Sequence, residues 1–320
     1  MSLLVILSYT ASDALLAAGM LSWAKELGGC PARDCLLVED CKMNEAERAP
    51  VRAGAKAVFA KVSATSTPFK LPDEKWPLGP NHMFETGLRA ALSLKRDFLW
   101  LEPDCVPMRR DWMEVVEAAW VKCQQPFMGQ VIETGKPGLP PKMMSGVGCY
   151  RADGLKKLLP LVVQQKAKKA FDVALAGLTT PACQHSRLFW NFYGERELPP
   201  TFGRQRVANS PGNLLLLSSI PRPTLLFHRC KDGSLTRLLK EDLAKGLEWP
   251  GEKAKTAVPA PIPAQPPTKQ ASQPPPAPLP LPLALAARAG DSSPFPPGFK
   301  HNTRKPKMIV LGEQAAGGRK

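Results

Sequence analysis

The sequence predicts an α/β fold: a mostly parallel central sheet with flanking helices, followed by a disordered Pro-rich tail. Three observations lead there. Short apolar runs without alternation, such as Leu3–Leu7, Cys35–Val38 and Phe98–Leu101, suit strands buried on both faces. Amphipathic segments of helical length separate them. And 15 of the 35 prolines fall between residues 250 and 299, where neither a ladder nor a helix can form.

Each element follows in order. Leu3–Leu7 ends in "SYTASD", whose Ser12 or Asp13 can cap a helix over Ala14–Leu27 that stops at Gly28-Gly29. Cys35–Val38 is a second strand ending in Glu39-Asp40. Glu45–Ala53 reads as a helix and Ala57–Val62 as the third strand. The helix Asn81–Leu94 precedes the fourth strand, Phe98–Leu101. Helix Trp112–Lys122, strand Phe127–Ile132 and a helix over Asp153–Leu159 continue the alternation. Residues 1–247 are thus expected to fold as one domain, and 248–320 to form a basic tail.

The net charge of +15 divides almost evenly, with +7 carried from residue 250 onward. Such an excess fits a polyanionic partner, either nucleic acid or a phosphate-bearing substrate. The eight cysteines include no C-x-x-C pair, which argues against a zinc knuckle. "MSLLVILSY" lacks a basic start, and no apolar run reaches the length of a membrane span. Reduced thiols and a cytoplasmic location are therefore expected. Neither G-x-G-x-x-G nor G-x-x-x-x-G-K-[ST] occurs, so the dinucleotide fingerprint and the P-loop are excluded.

In open parallel sheets, ligands gather beyond the carboxyl ends of the strands. Ser8–Asp13, Glu39-Asp40 and "LWLEPDCVP" all lie there. Glu102 and Asp104, one residue apart around Pro103, can face one side and hold a hard divalent cation, Mn²⁺ or Mg²⁺, shared with substrate phosphates. The structural alternative is a solvated strand end in which these acids pair with Arg109 or Arg110.

This order of elements resembles the nucleotide-sugar-dependent glycosyltransferases of the GT-A fold, whose nucleotide-binding half is Rossmann-like. The resemblance covers about residues 1–240. "GPNHMFETGLRAAL", with Asn81, is similar to the Asn-bearing helix before the family's acidic D-x-D motif, and "LEPDC" takes the motif's place with Glu102 where Asp is usual. "MMSGVGCYR" resembles the glycine-bearing loop that lines the donor sugar, through Ser145 and Gly146, with Gly148 beside them. "KAFDVALAG" resembles the acidic helix start that positions an acceptor base, here Asp172. "TLLFHRCKDGSL" resembles the late segment whose histidine, here His228, completes the metal site, with Lys231 placed to meet the diphosphate.

The resemblance implies a nucleoside-diphosphate-sugar donor held by Ser8, Tyr9, Thr10, Asp13, Glu39, Asp40, Asn81, Ser145, Gly146 and Lys231. It implies a cation on Glu102, Asp104 and His228, and Asp172 as general base if the reaction inverts. For the acceptor, the charge, the basic tail end "KHNTRKPK" and "HSRLFWNFYGER" favour a large anionic molecule, such as a modified DNA base of the kind some phages decorate with sugars. Trp190 or Tyr193 would stack on it, although "LFWNFY" also reads as a buried aromatic helix face. Two other classes compete. One is a non-catalytic nucleic-acid- or partner-binding protein, in which "PPPAPLPLPL" forms a polyproline II ligand for SH3- or WW-like domains. The other is a nucleotidyltransferase, which "SYTASDA" disfavours by standing where a glycine-rich phosphate loop is expected.

Overall fold

The structure is a computed structural model, and it describes residues 2–67, 77–135, 138–165, 168–192, 206–210, 213–216, 220–249, 252–253 and 308–313. In chain order the elements are β1 (Leu4–Tyr9), α1 (Ala14–Glu26), β2 (Cys30–Glu39), α2 (Glu45–Val58), β3 (Phe59–Ser66), α3 (Leu78–Leu94), β4 (Phe98–Leu101) and β5 (Cys105–Pro107). Next come α4 (Trp112–Lys122), β6 (Phe127–Glu133), β7 (Lys142–Tyr150), α5 (Ala152–Leu155), α6 (Leu159–Gln165), α7 (Phe171–Thr179), β8 (Cys183–His185) and β9 (Phe189–Asn191). The chain continues through β10 (Arg206–Ser210), β11 (Asn213–Leu216), β12 (Leu226–His228), α8 (Ser234–Ala244), β13 (Leu247–Glu248), β14 (Glu252–Lys253) and β15 (Ile309–Glu313). Two compact units divide the chain, and the second, residues 255–303, lies outside the described residues together with its Pro-rich motif.

Eight strands form the main sheet in the order β15-β3-β2-β1-β4-β7-β6-β8. β3, β2, β1 and β4 run parallel, so their carboxyl ends share one edge. β7 is antiparallel to both β4 and β6. The strand period of two explains why these runs are apolar throughout. Val5, Leu7 and Tyr9 enter the core beneath α1, α2 and α4, while Leu4 and Ile6 enter the opposite core beneath α3 and α7. β4 divides likewise, with Leu99 and Leu101 on one side and Phe98 and Trp100 on the other. α3 lies close to the sheet because Gly87 has no side chain: a Cβ there would fall 2.7 Å from Trp100 Cζ3.

Several boundaries differ from the sequence reading. α2 passes through Pro50 to Val58, because Val51, Ala55 and Val58 make one buried stripe and a reciprocal Asn44–Glu47 box starts the helix. Asp13 makes no capping bond to α1; it accepts from Thr10 Oγ1 instead. The "MMSGVGCYR" segment is a central strand, β7, rather than a loop, and the helix expected over Asp153–Leu159 shortens to α5. "LFWNFY" yields β9, a strand rather than a helix. Within the expected tail, β15 adds to the edge of the main sheet by pairing antiparallel with β3.

Candidate active site

The carboxyl edge of the parallel strands carries the candidate site. β4 delivers Glu102 and Asp104 there. Its continuation, β5, pairs antiparallel with β12, opposing Cys105 to His228. β12 pairs in parallel with β9, opposing His228 to Asn191. This small sheet, β5-β12-β9, brings a histidine to the acidic pair across more than a hundred residues of sequence. The link is fastened by Cys230 N donating to the Asp104 carbonyl at 3.2 Å.

His228 Nε2 lies 3.0 Å from Glu102 Oε2 and 3.1 Å from Asp104 Oδ1. One ligand atom from each of the three residues falls within 4.8 Å of the others. Asp104 and His228 are buried, whereas Glu102 is about one-third open. Burial works against a charged imidazole, but the Asp104 and Glu102 carboxylates outweigh it and push the His228 pKa up to about 10. Burial likewise opposes ionisation of Asp104; the facing His228 outweighs it and holds that carboxyl below its ordinary value. Arg109 and Arg110 are engaged elsewhere, with Asp111 and Glu248, so the structural alternative of an acid–arginine strand end does not hold.

Of the other expected residues, Gly146 and Lys231 lie against this cluster. Gly146 lies in β7 against it: a Cβ there would fall 3.2 Å from Glu102 Oε1 and 2.9 Å from Phe171 Cζ. Its neighbour Ser145 accepts from Asn191 Nδ2 at 3.1 Å. Gly148 instead packs within the sheet, on Met128 and Met144. Phe171 stacks on Phe84 at 3.9 Å between centroids and so fixes the first turn of α7, where Asp172 sits. Burial, reinforced by the Glu102 charge, raises the Asp172 pKa to about 6. Asn81 is buried and donates to the Lys169 carbonyl at 2.6 Å, tying α3 to the chain that enters α7. Lys231 Nζ is exposed, 4.0 Å from Asp104 Oδ2.

On the neighbouring strand ends, Ser8 and Tyr9 of β1 are buried. Tyr9 OH donates to Glu39 Oε1 at 2.8 Å, and Glu39 is held by Arg52 at 2.7 and 2.8 Å, with Arg48 3.3 Å away. Asp40 Oδ1 accepts from Lys42 N, while Thr10 bridges to Ser12 and Asp13. Trp190 stacks on Phe192 and packs against Phe227; Tyr193 lies outside the described residues. All eight cysteines are free thiols. No described helix is long and apolar enough to cross a membrane.

Sequence reading missed the Arg48–Arg52 brace, Asn191 and Arg229. Arg48 and Arg52 are spaced i, i+4 on α2, one turn apart, and could have been matched to Glu39. Arg229 follows the histidine with φ of 83°, a left-handed conformation uncommon for arginine, and its charge acts on both Asp104 and Asp172.

No family model matches the sequence, and no curated protein matches it. Among solved structures, the chain is similar to the galactosyltransferase LgtC in complex with donor and acceptor sugar analogs, at 12% identity and a TM-score of 0.44, covering 72% of this chain and 88% of that one. It is similar to mouse xyloside xylosyltransferase 1 at 12% identity and a TM-score of 0.40, over 71% and 97% of the two chains. The third similar structure is S. aureus TarS in complex with UDP-GlcNAc, at 11% identity and a TM-score of 0.34, over 49% and 47%.

Proposed function

We propose that this chain is a cation-dependent glycosyltransferase that moves a sugar from a nucleoside-diphosphate donor to an acceptor hydroxyl. The observation that carries the reading is the convergence of Glu102, Asp104 and His228 at the carboxyl edge of a parallel sheet, beside the high-pKa Asp172. The donor set fits Mn²⁺ or Mg²⁺: two carboxylates and one imidazole, with Asp104 Oδ1 buried and facing His228 Nε2 at 3.1 Å. Glu102, Asp104 and His228 would hold the ion. Bound there, it would offset the negative charge that gathers on a departing diphosphate.

The remaining roles fall to side chains of this chain. Lys231 meets the diphosphate as a mobile point charge. Ser8, Thr10, Asp13 and Asp40 frame the nucleotide end of the crevice, and the Tyr9–Glu39–Arg52 network braces the strand ends behind them. Ser145 and Gly146 line the floor on which the donor sugar lies. In an inverting transfer, Asp172 takes the proton of the attacking hydroxyl. The net charge of +15 makes anionic acceptors, nucleic acid included, the first class to screen.

Calorimetric titration with UDP, GDP and their sugar conjugates, with and without Mn²⁺, tests the reading. Wild type is expected to bind one nucleotide series in a Mn²⁺-dependent manner, and Asp104→Ala to lose that dependence. Failure of every nucleotide to bind, with or without the ion, would overturn the transferase in favour of a binding scaffold.

A further inference from the structure

His228 has two ring nitrogens, and only Nε2 is spoken for, by Glu102 and Asp104. Nδ1 is buried and has no hydrogen-bond partner among the described residues. Asn191 has the complementary deficit. Its Nδ2 donates to Ser145 Oγ and its backbone N–H to Gln130 Oε1, whereas its Oδ1 is buried and accepts nothing among the described residues. The two residues are direct register partners on β12 and β9, so their side chains leave the same face of the small sheet. Both atoms are closed to bulk solvent, and each would cost about 1–3 kcal/mol if left unpaired. With Nδ2 committed to Ser145, the carbonyl end of the Asn191 amide is the acceptor that remains.

We infer that Asn191 is the positioning residue of His228: its Oδ1, which makes no direct bond to the ring in this structure, takes the Nδ1–H through one buried water and keeps Nε2 turned toward Glu102 and Asp104. The inference rests on the cation-site reading given above. A metal-ligating histidine keeps its other N–H on an acceptor, which sets the tautomer and the ring plane, and losing that acceptor weakens metal affinity by about 10- to 100-fold. The same arrangement joins the sugar-facing floor to the cation site, since Ser145 precedes Gly146, the residue set against Glu102.

Two measurements on the full-length chain test this. The first is Mn²⁺ affinity, read from the spin-resonance signal of the free ion, for wild type, Asn191→Leu and Asn191→Asp. Asn191→Leu is expected to weaken binding at least about ten-fold, while Asn191→Asp, which keeps an acceptor, stays within about three-fold. The second is the ¹⁵N-histidine spectrum of the wild type loaded with diamagnetic Zn²⁺, with His228 assigned by its loss in His228→Ala. A slowly exchanging His228 Nδ1–H is expected in wild type. Its absence there overturns the inference whether or not the leucine variant folds. So does a folded Asn191→Leu that binds Mn²⁺ like wild type, or an Asn191→Asp that loses as much as leucine does. Wild type that fails to bind Mn²⁺ at all removes the cation site itself, and the inference with it.

Discussion

Asp172 shows how one residue connects stability with chemistry. Its carboxyl is raised to about 6 by burial and by the charge of Glu102, against an ordinary value of 3.8. Between those two values the folded chain keeps a proton that the unfolded chain has released. This group's contribution to stability therefore falls as pH rises from about 4 to about 6, and the cost is complete above 6. Asp172→Asn removes the charge and keeps the shape, so the variant should be more stable than wild type at pH 7 by about 1–3 kcal/mol and no more stable at pH 4. Transfer should fall by about 10²- to 10⁴-fold in the same variant if Asp172 is the base. Denaturant melts at the two pH values, run beside a transfer assay, check both halves. A variant less stable at pH 7 would show that Asp172 serves the fold. His228 and the acidic pair were legible at this scale because each type is a plain oxygen or nitrogen donor at a strand end. Asn191 was not, since an asparagine within an aromatic run carries no sign of which strand will lie beside it.

At the scale of elements, the strands that the sequence reveals are those buried on both faces. β1, the Cys35–Val38 half of β2 and β4 carry continuous apolar runs, and their helices alternate with them in the chain. β5, β9 and β12 have three residues each, too short for a period to register, and they assemble from segments distant in sequence. β7 was hidden by its glycines, which read as a turn; the space they leave is filled by Phe171, Met144 and the Met128 carbonyl. α2 supplies the countercharge at the proposed nucleotide end. Glu39 at the end of β2 is 1% exposed, an expensive place for a carboxylate unless it is paired, and Arg52 and Arg48 on one face of α2 pair it. Glu39→Gln leaves two guanidinium groups facing a neutral amide, so it should destabilise the fold by about 2–4 kcal/mol. Mn²⁺ affinity should stay unchanged, because the proposed cation residues come from the β4–β5 connection and β12, while nucleotide affinity falls. Urea denaturation and separate ion and nucleotide titrations would read these effects. Loss of Mn²⁺ binding in a folded Glu39→Gln would mean that the two ends of the crevice are not independent.

For the whole molecule, the unexpected element is β15. Composition marks residues 248–320 as a tail, and a five-residue strand after so many prolines gives no periodic signal of its own. Its partner explains its presence. β3 would otherwise be the outer strand of the sheet, offering a row of unpaired N–H and C=O groups to any extended chain. β15 closes that edge by pairing Ile309 with Ala64 and Val310 with Ser63. Leu311 packs partly buried against the core, whereas Ile309 and Val310 are about half exposed. The pairing thus adds modest apolar burial, and its expected main effect is on association. Deleting residues 308–320 should lower stability by only about 1–2 kcal/mol, roughly the burial of one leucine. It should leave Mn²⁺ affinity unchanged, because the proposed ion residues lie between β4 and β5 and on β12, and β1 and β2 stand between β4 and the β3 edge. Self-association should rise, as the bare β3 edge pairs with that of another copy. Light scattering at several concentrations, with a thermal melt of each form, separates the two effects. A truncated chain that melts far below wild type yet stays monomeric would show that β15 is part of the core, with edge protection secondary.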